Sequence, residues 1–231
     1  MTKHSKRYRN AASKVDPEKV YDAQEALKLI KSLPHCKFDE SIEIAIRLGI
    51  DPKKTDQLVR GAVSLPKGLG KTIKVIVFAE GDRAKAAKDA GADEVGAAEL
   101  ADKILGGWTD FDIVITSPDM MKHVGKLGKV LGPQGKMPSP KSGTVTPDVA
   151  AAVKEFKAGK VEFRTDAGGN VHAILGKRSF AAEDLFANLT TFLEHLGNLR
   201  SPAVKGEFFR KISISTTMGP GVQIHWEVVH A

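Results

Sequence analysis

Between residues 38 and 48 the chain alternates, with Ile42, Ile44, Ile46 and Leu48 on one face and Ser41, Glu43, Ala45 and Arg47 on the other. A period of two with one apolar face predicts a strand that covers a core on one side only. Just upstream, Ala26, Leu27, Leu29 and Ile30 fall at helical spacing within residues 23–32, and Pro34 stops that helix. Alternation returns near the far end, in residues 208–216 and again in 222–228. In the first of these runs Ser213 and Ser215 share one face and Ile212 and Ile214 the other; in the second, Val222, Ile224, Trp226 and Val228 point inward and Gln223, His225 and Glu227 outward. Before them, Leu185, Leu189, Phe192, Leu193, Leu196 and Leu199 form the stripe of a long helix, with Ser179 a candidate N-cap and Glu183 and Asp184 suited to its positive end. Residues 161–165 and 171–175 flank the turn-rich Asp166-Ala167-Gly168-Gly169-Asn170 and read as a β-hairpin.

The middle third has a different character. Residues 73–79 are almost continuously apolar, as expected of a strand covered on both faces, and Ile113-Val114-Ile115 repeats the signal. Helical patterns at 82–90 and 97–105 alternate with these and with the short Asp93-Glu94-Val95, which predicts βαβ units and a parallel sheet. The expected architecture is therefore mixed α/β and α+β in two domains. The outer thirds, residues 1–67 and 160–231, make one discontinuous α+β domain of four or five strands with helices on one face, and residues 68–159 are inserted as an α/β domain. Paired linkers near Lys67 and Gly159 suit a hinge.

Charge narrows the partner. The chain of 231 residues carries 35 Lys and Arg against 28 Asp and Glu, a net +7, which favours polyanions. The excess is local: Lys3, Lys6, Arg7 and Arg9 lie in an acid-free amino-terminal stretch, and Lys122, Lys126, Lys129, Lys136 and Lys141 in an acid-free window. A single cysteine, Cys36, excludes an internal disulfide framework, and the sequence shows neither a leader pattern nor an apolar run of membrane-spanning length, so a cytoplasmic protein without a membrane partner is expected.

Catalytic chemistry finds little support. Gly68-Leu69-Gly70-Lys71-Thr72 ends like a phosphate-binding loop, but Leu65 occupies the position of that motif's first glycine and a strand is expected where a helix is required. Residues 127–138 read as a basic, irregular loop without an acid or base, suited either to a backbone contact with nucleic acid or to simple solvation. The seven histidines show no metal-ligand spacing. No catalytic, cofactor or metal site is expected. The strongest remaining candidate is the stretch from Ser213 to Gly221, where small hydroxyl residues run into the Gly219-Pro220-Gly221 turn and leave a face without bulk on which a partner can dock closely. A nucleotide- or small-molecule-binding role for the inserted domain stays open as the alternative.

Several blocks, in order, carry a family resemblance: Lys6-Arg7-Tyr8-Arg9, Lys37-Phe38-Asp39-Glu40, Leu48-Gly49-Ile50-Asp51-Pro52, Val59-Arg60-Gly61, Leu65 to Lys71, Leu131-Gly132-Pro133, Phe163-Arg164-Thr165-Asp166 and Thr216-Thr217-Met218-Gly219-Pro220. Together they resemble the bacterial form of the large-subunit ribosomal protein L-one family over nearly the whole chain. The resemblance implies a split β-α-β (ferredoxin-like) domain that grips RNA and an inserted Rossmann-like three-layer domain without a nucleotide cofactor. It implies a non-enzymatic protein of the mobile side stalk of the large ribosomal subunit. Its partners would be large-subunit ribosomal RNA, tRNA leaving the exit site, and its own operon mRNA, whose translation it would repress; away from the ribosome it would be a monomer.

On the family's motifs, the RNA contacts fall at Phe38, Arg164, Asp166, Thr217, Met218 and Gly219. Hydroxyl and main-chain groups suit the 2′-OH of folded RNA, Phe38 and Met218 offer apolar contact, and arginine pairs with phosphate. At the hairpin tip, Ala167-Gly168-Gly169 leaves little side chain, so a contact made there by a longer residue passes to the backbone. Ser213, Ser215, Lys177, Lys205 and Lys211 are added from strand face and charge.

Overall fold

A computed structural model describes residues 4–226, and the chain divides into two compact units, 1–70 with 161–231, and 71–160. The outer unit is built on a four-stranded antiparallel sheet of order β7-β1-β8-β9, formed by β1 (Ser41–Leu48), β7 (Asn170–Lys177), β8 (Phe209–Thr216) and β9 (Val222–Ile224). The alternation read from the sequence decides which face is covered: Ile42, Ile44, Ile46, Val171, Leu175, Ile212, Ile214 and Val222 are all buried. Two helices lie over that face, α2 (Ala23–Ser32), whose N-cap Asp22 accepts from the Gln24 N–H, and α8 (Ala182–Asn198). Leu27 and Ile30 of α2 and Leu185, Leu189, Phe192 and Leu196 of α8 complete the core, with Phe163 edge-on to Phe192 at 5.3 Å. A short amino-terminal helix, α1 (Lys6–Ala12), adds the buried Ala11.

Inside this core Asn188 is fully buried and fully used. Its amide donates to the carbonyls of Leu175 at 2.7 Å and Gly68 at 3.0 Å and accepts from the Lys67 N–H at 3.0 Å, which ties the end of the first chain segment to β7.

Three details differ from expectation. The segments around Asp166 do not form an extended hairpin, because β6 (Lys160–Arg164) pairs with β2 (Arg60–Ser64) in a separate two-stranded sheet while β7 pairs with β1. Only a single antiparallel bridge, Thr165 with Val171, spans the loop, since each arm finds a longer apolar partner elsewhere. Ser179 does not cap α8; Ala181 stands at that position without a side-chain bond, and the Ser179 hydroxyl donates instead to Asp39 at 2.8 Å. The last strand ends at Ile224, and of its expected residues Glu227 and Val228 lie outside the described residues.

The inner unit is a three-stranded parallel sheet of order β4-β3-β5, from β3 (Val75–Phe78), β4 (Glu94–Gly96) and β5 (Ile113–Thr116). All four residues of β3 are buried, as a strand covered on both faces requires. On one side pack α3 (Gly81–Asp89) and α7 (Val149–Ala158); on the other, Ile76, Phe78 and Val114 meet Leu100 and Ile104 of α4 (Ala98–Leu105) together with Val124, Leu127 and Leu131. These last three sit where a basic loop was expected. The segment instead winds through helical turns that include α5 (Met121–Val124) and α6 (Gly128–Leu131), because its apolar residues recur at a spacing that buries them on one side. Lys136 beyond them donates to the carbonyls of Thr109 and Phe111 at 3.1 and 2.6 Å.

Each unit has its own core, so replacing residues 71–160 by a short glycine linker should leave an outer unit that melts cooperatively with native-like far-ultraviolet circular dichroism. A non-cooperative melt would show that the inner unit is needed for folding.

Candidate nucleic-acid interface

The uncovered face of the four-stranded sheet follows from register. Ile174, Glu43 and Ser215 form one row across it, His172, Ala45 and Ser213 the next, and Asn170, Arg47 and Lys211 the third. Ser213 and Ser215 are half-buried above fully buried Ile212 and Ile214, so the centre of the face carries little bulk. Glu43 adds one exposed acid to it.

At the end of β8 the chain turns through Thr217, Met218 and Gly219. The Thr217 N–H donates to the Ser41 carbonyl at 3.0 Å, the Ser41 N–H donates to Thr217 Oγ1 at 3.0 Å, and that hydroxyl donates back to the same carbonyl at 3.3 Å. Thr217 therefore staples the turn to β1. Its hydroxyl is engaged by main chain, leaving acceptor capacity but no spare proton for a ligand. The Gly219 N–H closes the turn on the Thr216 carbonyl at 3.1 Å, and a Cβ at Gly219 would stand 2.4 Å from Thr216 Oγ1. Thr216 is β-branched and stiff, so only glycine keeps the turn this tight.

Phe38 and Met218 are 53% and 50% exposed, and one buried carboxylate holds both segments that carry them. Glu40 is completely buried. It accepts the Cys36 N–H at 2.6 Å and Arg7 Nη1 at 3.5 Å on one oxygen and the Met218 N–H at 3.4 Å on the other, and Thr216 supplies a further side-chain hydrogen bond. Arg7 completes the link by donating through Nη2 to the Met218 carbonyl at 3.2 Å. Burial pushes the Glu40 carboxyl up, yet the hydrogen bonds from Thr216, Cys36 and Met218 prevail and hold it below the ordinary glutamate value.

The Phe38 loop is braced on its other side as well. Asp39 accepts the Ser179 N–H at 3.1 Å, and Arg178 Nη2 donates to the carbonyls of Lys31 and Leu33 at 2.6 and 2.8 Å. A shallow pocket lies beside Phe38, lined by His35, Cys36, Lys37, Asp39, Arg178 and Ser179.

The remaining expected contacts lie elsewhere on this unit. Lys177, which pairs with Ser41 across the strands, donates to Ser41 Oγ at 2.9 Å and sits at the Thr217 end of the face. Lys211 stands at the opposite end. Arg164 is exposed where β6 ends, and Lys205 is exposed in the loop between α8 and β8. Asp166 is occupied internally: one oxygen accepts the N–H groups of Gly168 at 2.8 Å and Asn170 at 2.7 Å, and the Asn170 amide reaches the other at 3.0 Å. The Asn170 side-chain bond leads the effects that hold its carboxyl below the ordinary aspartate value. Asp166 thus shapes the Asp166–Asn170 turn. Glu40 escapes a reading of the sequence, because a single acid between a loop and a strand carries no periodic signal, and Arg7 stands out there only as one of four clustered cations.

No phosphate cradle forms around Gly68 and Gly70, since β3 follows them rather than a helix. Among the described residues no group of His, Cys, Asp and Glu could hold a metal ion.

Residues 27–220 match the model of the Ribosomal protein L1p/L10e family. This chain belongs to that family. The large ribosomal subunit protein uL1 of Cutibacterium acnes is 55% identical over 222 residues, 96% of each chain. The proteins of the same name from Kosmotoga olearia and Syntrophobacter fumaroxidans are 53% and 54% identical over 99% and 97% of this chain, and over 100% and 96% of their own lengths. The family match spans Phe38, Glu40 and the Thr217–Gly219 turn, and the amino-terminal Arg7 that braces them lies before it.

Because the Glu40 carboxyl is depressed in the folded protein, its contribution to stability is present above the unfolded glutamate value, about 4.3, and is lost as pH falls through the lower folded value. Glu40→Gln should cost about 1 to 3 kcal/mol near neutral pH. It should also flatten the acid limb of a stability-against-pH curve measured by urea unfolding. An unaltered acid limb would show that Glu40 is not the linked group.

Proposed function

We propose that this protein is a non-enzymatic component of the large ribosomal subunit in the cytoplasm and binds large-subunit ribosomal RNA through the open face of its outer unit. The observation that carries the reading is the pair of exposed apolar side chains, Phe38 and Met218, fixed by one buried carboxylate at the end of a face whose middle carries the small residues Ser215, Ala45 and Ser213. Apolar and aromatic groups stack on unpaired bases, and a face without bulk admits a preshaped RNA surface to main-chain distance. Net charge +7 supplies the electrostatic attraction.

In this reading the outer unit is the split ferredoxin-like domain that holds RNA. The inner unit is a Rossmann-like insert whose parallel sheet serves as a rigid body rather than a cofactor site. On the side stalk the protein contacts tRNA leaving the exit site and assists its release. Free of the ribosome it is a monomer and binds its own mRNA, repressing translation. Family membership and the similarity to uL1 proteins of the large subunit support the place in that subunit.

Filter binding of deproteinised large-subunit ribosomal RNA across salt concentrations should give tight association whose logarithm falls linearly with the logarithm of salt. No RNA binding, with saturable heat from a nucleotide in calorimetry, would instead favour a small-molecule site in the inner unit.

A further inference from the structure

The end of the open face away from Met218 holds a cluster of positive charge. Arg47 of β1 pairs directly with Lys211 of β8, and the register then jumps, so that Leu48 pairs with Phe209 and Arg210 is the extra residue of a bulge. The bulge breaks the alternation of β8: Arg210 and Lys211 are consecutive and both exposed, whereas Ile212 beyond them is buried. The register therefore places three cations at one corner of the sheet, next to the half-buried Asn170 that pairs with Arg47 from the other side.

Like charges directly opposite on antiparallel strands destabilise the pair, because their Cβ atoms stand only about 4.5 to 5.5 Å apart. A neighbouring acid would relieve this, yet among the described residues none of the twelve ion pairs involves Arg47, Arg210 or Lys211. Glu43, on the same face but four residues before Arg47, makes no ion pair with them either. The free protein thus carries an uncompensated repulsion at a position where a bulge turns one additional cation to solvent.

We infer that Arg47, Arg210 and Lys211 form a phosphate-binding corner, which takes two adjacent backbone phosphates of the RNA whose bases meet Phe38 and Met218 at the other end of the face. This site rests on the RNA-binding reading and extends it. Arginine suits the role through its planar fork of donors, which meets phosphate oxygens in pairs. The anion supplies what the fold withholds: binding converts the cross-strand repulsion into shared attraction, and position along the face is set by phosphate while Phe38 and Met218 read the bases.

The test compares the full-length protein with Arg47→Gln, Arg210→Gln and the double variant in filter binding to deproteinised large-subunit ribosomal RNA at several salt concentrations. Each single substitution should reduce the slope of log K against log salt by about 1, and the double by about 2, with weaker binding at low salt. Arg47→Lys should retain the slope. In the absence of RNA, Arg47→Gln should melt at the same or a higher temperature than the parent, which separates lost contact from lost structure. If the parent binds with ordinary salt dependence and the variants keep its slope, the corner is not a phosphate site. If the parent shows no salt-dependent binding, the RNA reading itself falls and this site with it.

Discussion

One buried carboxylate organises the Phe38 and Met218 end of the outer unit. Glu40 has no exposure, and an unpaired charge in such a place would cost several kcal/mol. The surrounding fold meets that cost with donors drawn from three separate parts of the chain: the guanidinium of Arg7, the main chain at Cys36, and Thr216 with the Met218 main chain. Residues distant in sequence are thereby fixed in one place, and the two that stand out from the surface, Phe38 and Met218, lie within two residues of Glu40 or are bonded to it. Geometry that would otherwise depend on two mobile loops becomes a property of the core.

The rest of the outer unit serves that arrangement. Helices α2 and α8 cover one face of the sheet and leave the other uncovered, and β8 keeps its share of that open face small by alternating isoleucine with serine. Thr217 and Asp166, both expected as RNA contacts, also bond within the turns they belong to. Their chemistry acts on presentation: Thr217 locks the Met218 turn to β1, and Asp166 folds the loop that delivers Asn170 beside Arg47. A polar residue in a tight turn competes for its own backbone before it competes for a ligand.

Much of this was legible in the sequence, for identifiable reasons. Strands β1 and β8 and helix α2 announce themselves by period, and the continuous apolar run of β3 marks a sheet covered on both sides. What failed were readings that local pattern cannot decide. The segments around Asp166 look like a hairpin, but strand partners are chosen by long-range burial, and β6 pairs with β2 instead. Ser179 has the chemistry of an N-cap, yet Asp39 offers it a charged acceptor. The lysine-rich window from 122 to 141 looks irregular because its glycines and prolines obscure Val124, Leu127 and Leu131, whose spacing winds it into helical turns. Glu40, Arg7, Arg47 and Arg210 could not be found by pattern, since their importance lies in cross-strand register and in contacts between distant segments.

A titration of Glu40 followed by carbon-detected nuclear magnetic resonance, with the amides of Cys36 and Met218 and the ring of Phe38 read in the same samples, tests the organising role of this carboxylate most directly. The expected midpoint lies below the ordinary glutamate value, with the Cys36, Met218 and Phe38 signals moving together at that same midpoint. A midpoint above the ordinary value, or Phe38 and Met218 signals indifferent to the protonation of Glu40, would contradict it.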